Sequence, residues 1–321
     1  MNSQPSSLLL FAPGSSRPFA SRIAEQLAVP LAESEEREFD HGEHKMRPLV
    51  DVQGADVFIV HSLCGDAQAS ANDKLCRLLF FASALKDAGA ERVTACLPYL
   101  VYARKDRRTQ ERDPTTTRYV ACLFEAAGID RVIVLDVHNE AAFDNAFRCA
   151  TVRLESAAIF AGALAGSRTA APLVVVSPDV GGIKRAQRFQ QQIEQRLGRS
   201  TGFAFMEKKR AGGVVSGEAL IGDIADHEVL VFDDMIASGT TMLRAAHAAR
   251  RAGARRVSLL AAHAVFTDAA AHLFEDGGPD RVMITDSVAL NDKFQTYVGT
   301  RLSVCSAASL FATAIKACRT G

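Results

Sequence analysis

The stretch Val229–Ala246, VLVFDDMIASGTTMLRAA, decides how the rest of the chain is read. Val229 to Phe232 is an all-apolar run, the pattern of a strand buried on both faces, and it ends abruptly in Asp233 and Asp234. A turn of small and hydroxyl residues follows at Ser238–Thr241, and a helix is expected from about Met242. Backbone amides in such a turn, with the first N–H groups of a helix, form a cradle for phosphate. Two carboxylates just ahead of the cradle suit the vicinal hydroxyls of a sugar. The stretch therefore implies a site for ribose 5-phosphate. The plainer alternative is an acid-ended strand followed by a capped helix.

Outward from this stretch, apolar runs alternate with helical stretches along the whole chain, the rhythm of parallel sheets covered by helices on both faces. The first half predicts strands at Leu8–Phe11, Asp56–His61, Arg92–Leu97 and Arg131–Asp136. Helices are expected between them at Arg17–Leu27, Asn72–Ala88 and Thr116–Ala127, two of them followed by Gly89 and Gly128 as stop signals. The second half predicts strands at Leu173–Ser177, Gly202–Phe205, Glu228–Phe232, Arg256–Ala262 and Arg281–Thr285, with helices at Gly182–Leu197, Thr241–Ala252 and Thr267–Leu273. Cys149–Arg168 reads as a connector. The two halves look like copies of one α/β architecture, of which only the second carries the full phosphate turn.

Bulk properties narrow the class. A chain of 321 residues is long enough for two domains, and its formal net charge of zero points to neither nucleic acid nor an anionic membrane. No apolar run reaches membrane-spanning length, and the start MNSQPSSLLLFA lacks the basic region of a secretion signal. Seven cysteines without a CxxC pair fit reduced thiols in a cytoplasmic protein.

Five further segments offer chemistry. In VVVSPDVGGIKR, Val174–Arg185, Asp179 can hold a hydrated magnesium ion through one carboxylate oxygen, or simply cap the next helix. In LDVH, Leu135–His138, Asp136 and His138 share a strand end, where the imidazole can serve a metal, a phosphate or a structural hydrogen bond. In PYLVYARKDRR, Pro98–Arg108, the cations Arg104, Lys105, Arg107 and Arg108 crowd a loop with Asp106, an arrangement suited to polyphosphate or else to a solvated turn. EKKRAGG, Glu207–Gly213, reads with Val214–Asp223 as a flap that can fold Lys208 and Arg210 over a reacting phosphate, or as an exposed basic hairpin. Phe39, in the polar turn EFDHGE, can stack on a base or seal a domain edge.

Taken in this order, YARKDRR, LDVH, SPDVGG, KKR and the DD…SGTT turn resemble the ribose-phosphate pyrophosphokinase family from about Leu8 to Ile315. The resemblance implies two phosphoribosyltransferase-like α/β domains, each a mostly parallel β-sheet flanked by helices. Residues 1–155, completed by 302–321, would bind ATP, and 156–301 would bind ribose 5-phosphate. It implies transfer of the pyrophosphoryl group of Mg-ATP to the anomeric hydroxyl of ribose 5-phosphate, giving phosphoribosyl pyrophosphate and AMP.

Residue by residue, the resemblance gives magnesium to His138 and Asp179, and ATP to Phe39, Glu43, Arg104, Lys105, Asp106, Arg107 and His138. It gives transition-state stabilisation to Lys208 and Arg210. Ribose contact falls to Asp233 and Asp234, and the 5-phosphate to the turn of Ala237, Ser238, Gly239, Thr240 and Thr241. A homo-oligomer built from dimers, extending to a hexamer, is the family expectation, with Phe39 and Glu43 reaching a neighbouring subunit. Departures from the family pattern are His41 in place of an aspartate, Lys105 in place of a glutamine, Ala237 in place of a third aspartate, and NEAAFDNAF after His138 in place of a Gly-Gln-rich segment. Two other functions compete: a phosphoribosyltransferase that joins phosphoribosyl pyrophosphate to a base, and an inactive regulatory homologue that binds nucleotide without releasing AMP.

Overall fold

The computed structural model describes residues 7–166, 171–211 and 214–320, and the side chains of 208–218 lie outside that description. The chain divides into two compact units, one ending at Leu154 and resumed from Ala307, the other Glu155–Ser306.

In the first unit, strands β1 (Leu8–Phe11), β4 (Asp56–Val60), β5 (Arg92–Leu97), β6 (Arg131–Leu135) and β7 (Ala150–Leu154) form a five-stranded sheet in that order. Every pairing in it is parallel. Strands β2 (Ser34–Glu38) and β3 (His44–Pro48) stand apart as an antiparallel hairpin. Helix α1 (Arg17–Leu27) follows β1, and α2 (Ala71–Asp87), α3 (Thr116–Ala126) and α4 (Glu140–Ala146) make the crossovers between successive strands from β4 to β7. Helix α2 starts on a reciprocal cap: the Ser70 hydroxyl accepts from Asp73 N–H, and the Asp73 carboxylate accepts from Ser70 N–H. Phe11, Phe81, Phe124, Phe143 and Phe147 share one buried cluster with the strand residues Val57, Ile59, Val93, Val132 and Val134.

The hairpin is fastened to this body at three points. Met46 enters the same core, Arg77 Nη2 of α2 lies 2.7 Å from Glu38 Oε1, and Gly14 N–H in the 3₁₀ turn before α1 donates to Glu36 Oε1 at 2.6 Å.

In the second unit, β8 (Leu173–Ser177), β9 (Gly202–Ala211), β10 (Val214–Ile221), β11 (Glu228–Ile236), β12 (Arg256–Ala264), β13 (Arg281–Thr285) and β14 (Leu302–Cys305) form a seven-stranded sheet, ordered β10-β9-β8-β11-β12-β13-β14. Only the β9–β10 pair is antiparallel. Helices are α5 (Ala157–Ala165), α6 (Ile183–Leu197), α7 (Thr240–Arg251) and the short α8 (Asp292–Gln295). β11 explains the double cover. Val229 and Val231 enter one core with Met242, Ala245 and Ala249 of α7, whereas Leu230 and Phe232 enter another with Phe160 of α5 and Phe189 of α6. Phe189 stacks on Phe232 at 4.3 Å between centroids. Removing either ring would cost about 3–5 kcal/mol by the usual measure of large-to-small core changes.

Helix α9 (Ala308–Thr320) leaves the second unit and returns to the first, where Phe311 meets Phe19 of α1 edge-on at 5.6 Å. Strand β14, expected to travel with it, instead pairs in parallel with β13 and closes the second sheet.

The α/β class and the parallel sheets match the sequence reading, while several boundaries differ for physical reasons. β11 runs through the acids to Ile236, because Met235 and Ile236 still pair with His263 and Ala264. β9 continues from Phe205 to Ala211 because β10 supplies a partner. The supposed connector contains β7 and α5, and Asp268–Phe274 is a 3₁₀ segment rather than an α-helix. Among the described residues no helix is long and apolar enough to cross a membrane.

Candidate active site

In the second unit, the C-terminal ends of β8 and β11 bring three groups together. Central parallel strands are apolar until they emerge from the sheet, so the first polar side chains collect there. Asp233 and Asp234 face Arg185, which lies half a turn into α6. One guanidinium nitrogen, Nη1, sits 2.7 Å from Asp233 Oδ1 and 3.0 Å from Asp234 Oδ1. Asp234 N–H also donates to Asp233 Oδ1 at 2.9 Å. Asp234 is buried, and Asp233 is partly open to solvent. Burial first, and then the neighbouring charge of Asp234, push the Asp233 carboxyl up to about 8, against the pull of Arg185.

The loop between β8 and α6 approaches the same cation. Asp179 Oδ1 accepts from Gly182 N–H at 3.0 Å, and Ser177 Oγ donates to Asp179 O at 2.7 Å. Gly182 has no room for a side chain: a Cβ there would lie 2.9 Å from Ser177 Oγ and 3.8 Å from Arg185 Nη1. The glycine thus lets the Asp179 loop and Arg185 pack closely.

After β11 the chain turns through Ala237–Gly239 into α7. Thr267 N–H donates to Ala237 O at 3.1 Å, which fixes the backbone at the start of the turn. Gly239 caps α7 at φ +78°, a left-handed conformation, and a Cβ on it would meet Leu273 at 2.9 Å. The first helical bond is Leu243 N–H to Gly239 O at 2.8 Å, so the amides of Gly239, Thr240, Thr241 and Met242 precede the helical ladder. Thr240 N–H also leans on Ser238 Oγ at 3.4 Å. With the positive end of the helix dipole, this turn is built to take an anion.

In the first unit, the loop after β5 and the segment after β6 carry the cation-rich and histidine motifs. Arg104, Arg107 and Arg108 are exposed, and among the described residues no carboxylate pairs with them. Lys105 is spent differently. Its Nζ lies 2.6 Å from Asp113 Oδ2, which also accepts from Thr109 N–H and Gln110 N–H, both at 3.0 Å. These donors, led by Lys105, hold the Asp113 carboxyl well below the ordinary range. Asp106 Oδ2 accepts from Asn139 Nδ2 at 2.6 Å, which joins the loop to the residue after His138. NEAAFDNAF, the departure from the family pattern, forms α4 and drives Phe143 and Phe147 into the core.

Phe39 and Glu43 flank the tip of the β2–β3 hairpin, where Phe39 N–H donates to Glu43 O at 2.8 Å. Phe39 is 41% exposed, with the Arg37 guanidinium 4.8 Å from its ring centre. His41 occupies a left-handed position, φ +66°, at that tip. Lys208 and Arg210 lie on β9, with backbone partners Glu218 and Val215 on β10, and their side chains lie outside the described residues. Gly212 and Gly213 of the expected flap lie outside them as well.

Arg185 and Asn139 carry the contacts that sequence reading missed. Arg185 stood at the end of a quoted motif, but only its place on the first turn of α6 shows which carboxylates it meets.

Comparison with known proteins gives the family. Residues 8–128 match the N-terminal domain of ribose phosphate pyrophosphokinase, and 155–296 match a phosphoribosyl transferase domain. The ribose-phosphate pyrophosphokinase of Haemophilus influenzae is 36% identical over 316 residues, covering 96% of this chain and 94% of that protein. That of Thermotoga maritima is 34% identical over 309 residues, covering 95% and 93%. The crystal structure of phosphoribosylpyrophosphate synthetase from Mycobacterium smegmatis superposes with a TM-score of 0.87 at 29% identity, over 98% of this chain and 99% of that one. The chain belongs to the ribose-phosphate pyrophosphokinase family.

Proposed function

We propose that this protein is a ribose-phosphate pyrophosphokinase that transfers the pyrophosphoryl group of Mg-ATP to ribose 5-phosphate, releasing AMP and phosphoribosyl pyrophosphate. The observation that carries this reading is the pairing, in one chain of the family, of a sugar-phosphate site with an exposed cation loop. The turn 237–241 receives the 5-phosphate, and Asp233 and Asp234 accept hydrogen bonds from the ribose hydroxyls. A phosphoribosyltransferase needs the first site and gives no reason for the second.

In the first unit, Arg104 and Arg107 suit the triphosphate, and Asp106 suits a donor on the adenosine. Lys105, tied to Asp113, supports the loop from within as well as adding charge. Phe39 offers a ring for the base, and Glu43 an acceptor beside it, in the ATP site of a neighbouring subunit. The 1-hydroxyl oxygen of the sugar bonds to the β-phosphorus and gives its proton to water as the bond from that phosphorus to the α–β bridging oxygen breaks, and AMP leaves. Lys208 and Arg210 are assigned to the charge that gathers on the transferring group.

Magnesium suits the donors of this chain in part. It takes oxygen ligands, few of them from protein. Asp179 meets that demand, with its Oδ1 steadied by Gly182 N–H. His138 offers nitrogen, a donor better suited to a hydrogen bond with phosphate or bound water than to direct ligation. When bound, the ion supplies charge neutralisation on the phosphoryl oxygens.

The test is product analysis by phosphorus NMR after mixing the protein with Mg-ATP and ribose 5-phosphate. Equal amounts of AMP and phosphoribosyl pyrophosphate are expected. Intact ATP, together with nucleotide formed from phosphoribosyl pyrophosphate and a base, would replace this reading with the transferase.

A further inference from the structure

We infer that Asn139 is a positioning residue for ATP: it holds Asp106 toward the His138 strand end and so keeps the loop cations available for phosphate. This rests on the pyrophosphokinase reading above and names a residue that the sequence motifs did not single out.

Both ends of the Asn139 side chain are used. Oδ1 accepts from Ala142 N–H at 3.2 Å and caps α4, while Nδ2 donates to Asp106 Oδ2 at 2.6 Å. The backbone is equally committed, since Asn139 O accepts from Phe143 N–H at 3.0 Å. Phe143 is buried and packs 4.8 Å from Phe147, also buried. The amide is therefore fixed from the core side, and the loop hangs from it.

Asp106 sits among Arg104, Lys105, Arg107 and Arg108. A carboxylate so placed has strong partners within its own loop, and closing on one of them would remove a cation from the surface. Lys105 is already taken by Asp113. The Asn139 amide is a neutral donor, so it satisfies Asp106 without consuming a positive charge. Arg104, Arg107 and Arg108 then stay exposed at the end of the sheet. The pair also sets the distance between the cation loop and His138, one residue before Asn139. An asparagine does both tasks because it is the short side chain with an acceptor for the cap and a donor for the carboxylate.

Asn139→Ser and Asn139→Asp separate the two tasks. Serine and aspartate are good N-caps, but the serine hydroxyl is shorter than the amide that reaches Asp106, and an ionised aspartate has no proton to donate. Both variants are expected to keep the wild-type melting midpoint and KM for ribose 5-phosphate. Both should raise KM for Mg-ATP by about five- to tenfold, the range of a lost charge-assisted hydrogen bond near solvent. In an Asp106→Asn background, Asn139→Ser should add nothing further. Wild-type KM for Mg-ATP in both variants, or a Ser effect that persists undiminished with Asp106→Asn, would overturn the inference.

Calorimetric titration with Mg-ATP alone separates this from the functional reading. A wild-type protein that binds Mg-ATP but makes no AMP refutes the reaction, and the variant titrations still decide the coupling. A wild-type protein that does not bind Mg-ATP refutes both.

Discussion

Arg185 bridges Asp233 and Asp234 through Nη1, 2.7 Å from Oδ1 of the first and 3.0 Å from Oδ1 of the second. Replacing it with methionine would leave two adjacent acids with that charge lost. Arg185→Met is expected to destabilise the second unit by about 3 kcal/mol, the scale for breaking a largely buried ion pair. KM for ribose 5-phosphate should rise more than KM for ATP, and Arg185→Lys should recover part of the loss. Thermal unfolding with two-substrate kinetics checks this; an Arg185→Met protein with native stability and sugar affinity would contradict it.

The same carboxylate predicts a pH dependence. Asp233 is held at about 8 against an ordinary 3.8, so between those values the folded chain keeps a proton that the unfolded chain has lost. Its contribution to stability is full below the ordinary value and is lost as pH rises through about 8. The melting midpoint of wild type should therefore fall with pH across this window relative to Asp233→Asn, which lacks the titration. Parallel curves for the two proteins would remove the effect.

Gly239→Ala tests the phosphate turn. A left-handed alanine costs about 1–2 kcal/mol, and its Cβ would crowd Leu273. The expected result is a lower melting midpoint and at least a tenfold rise in KM for ribose 5-phosphate, measured by initial rates. Normal sugar affinity would show that the turn does not need this geometry.

Lys208→Ala addresses the reacting group. A cation used mainly in the transition state should lower kcat by about a hundredfold and move KM for ATP little. Single-turnover kinetics would separate this from slower binding. A rise in KM at unchanged kcat would assign Lys208 to substrate capture.

The sequence was legible where burial is one-sided in its demands. β4, β5, β6, β8 and β11 each carry a buried apolar run because both faces are covered, and that run could be read directly, although β11 continues past it through Asp233 and Asp234 to Ile236. β2, SEERE, and β3, HKMRP, were hidden because a mostly exposed hairpin has no apolar run. β7 is an edge strand with only partial burial, and α5, AAIFAGALA, lacks the polar face that marks a surface helix. Motifs likewise showed which residue types gather at the strand ends. They did not show partners, because Arg185 meets Asp233 across 48 residues and Asn139 meets Asp106 across 33.

The return of α9 to α1 has a consequence for how the protein is made. Lys316 Nζ reaches Gln26 O, a contact between residues 290 positions apart, and Phe19 finds Phe311 only at the end of the chain. During synthesis the first body must wait, with one face of α1 uncovered, until α9 has been made and released. The continuous stretch Glu155–Ser306 faces no such delay. Assembly is therefore expected to begin with Glu155–Ser306, and the body that contains α1 should close after it and depend more on a chaperone.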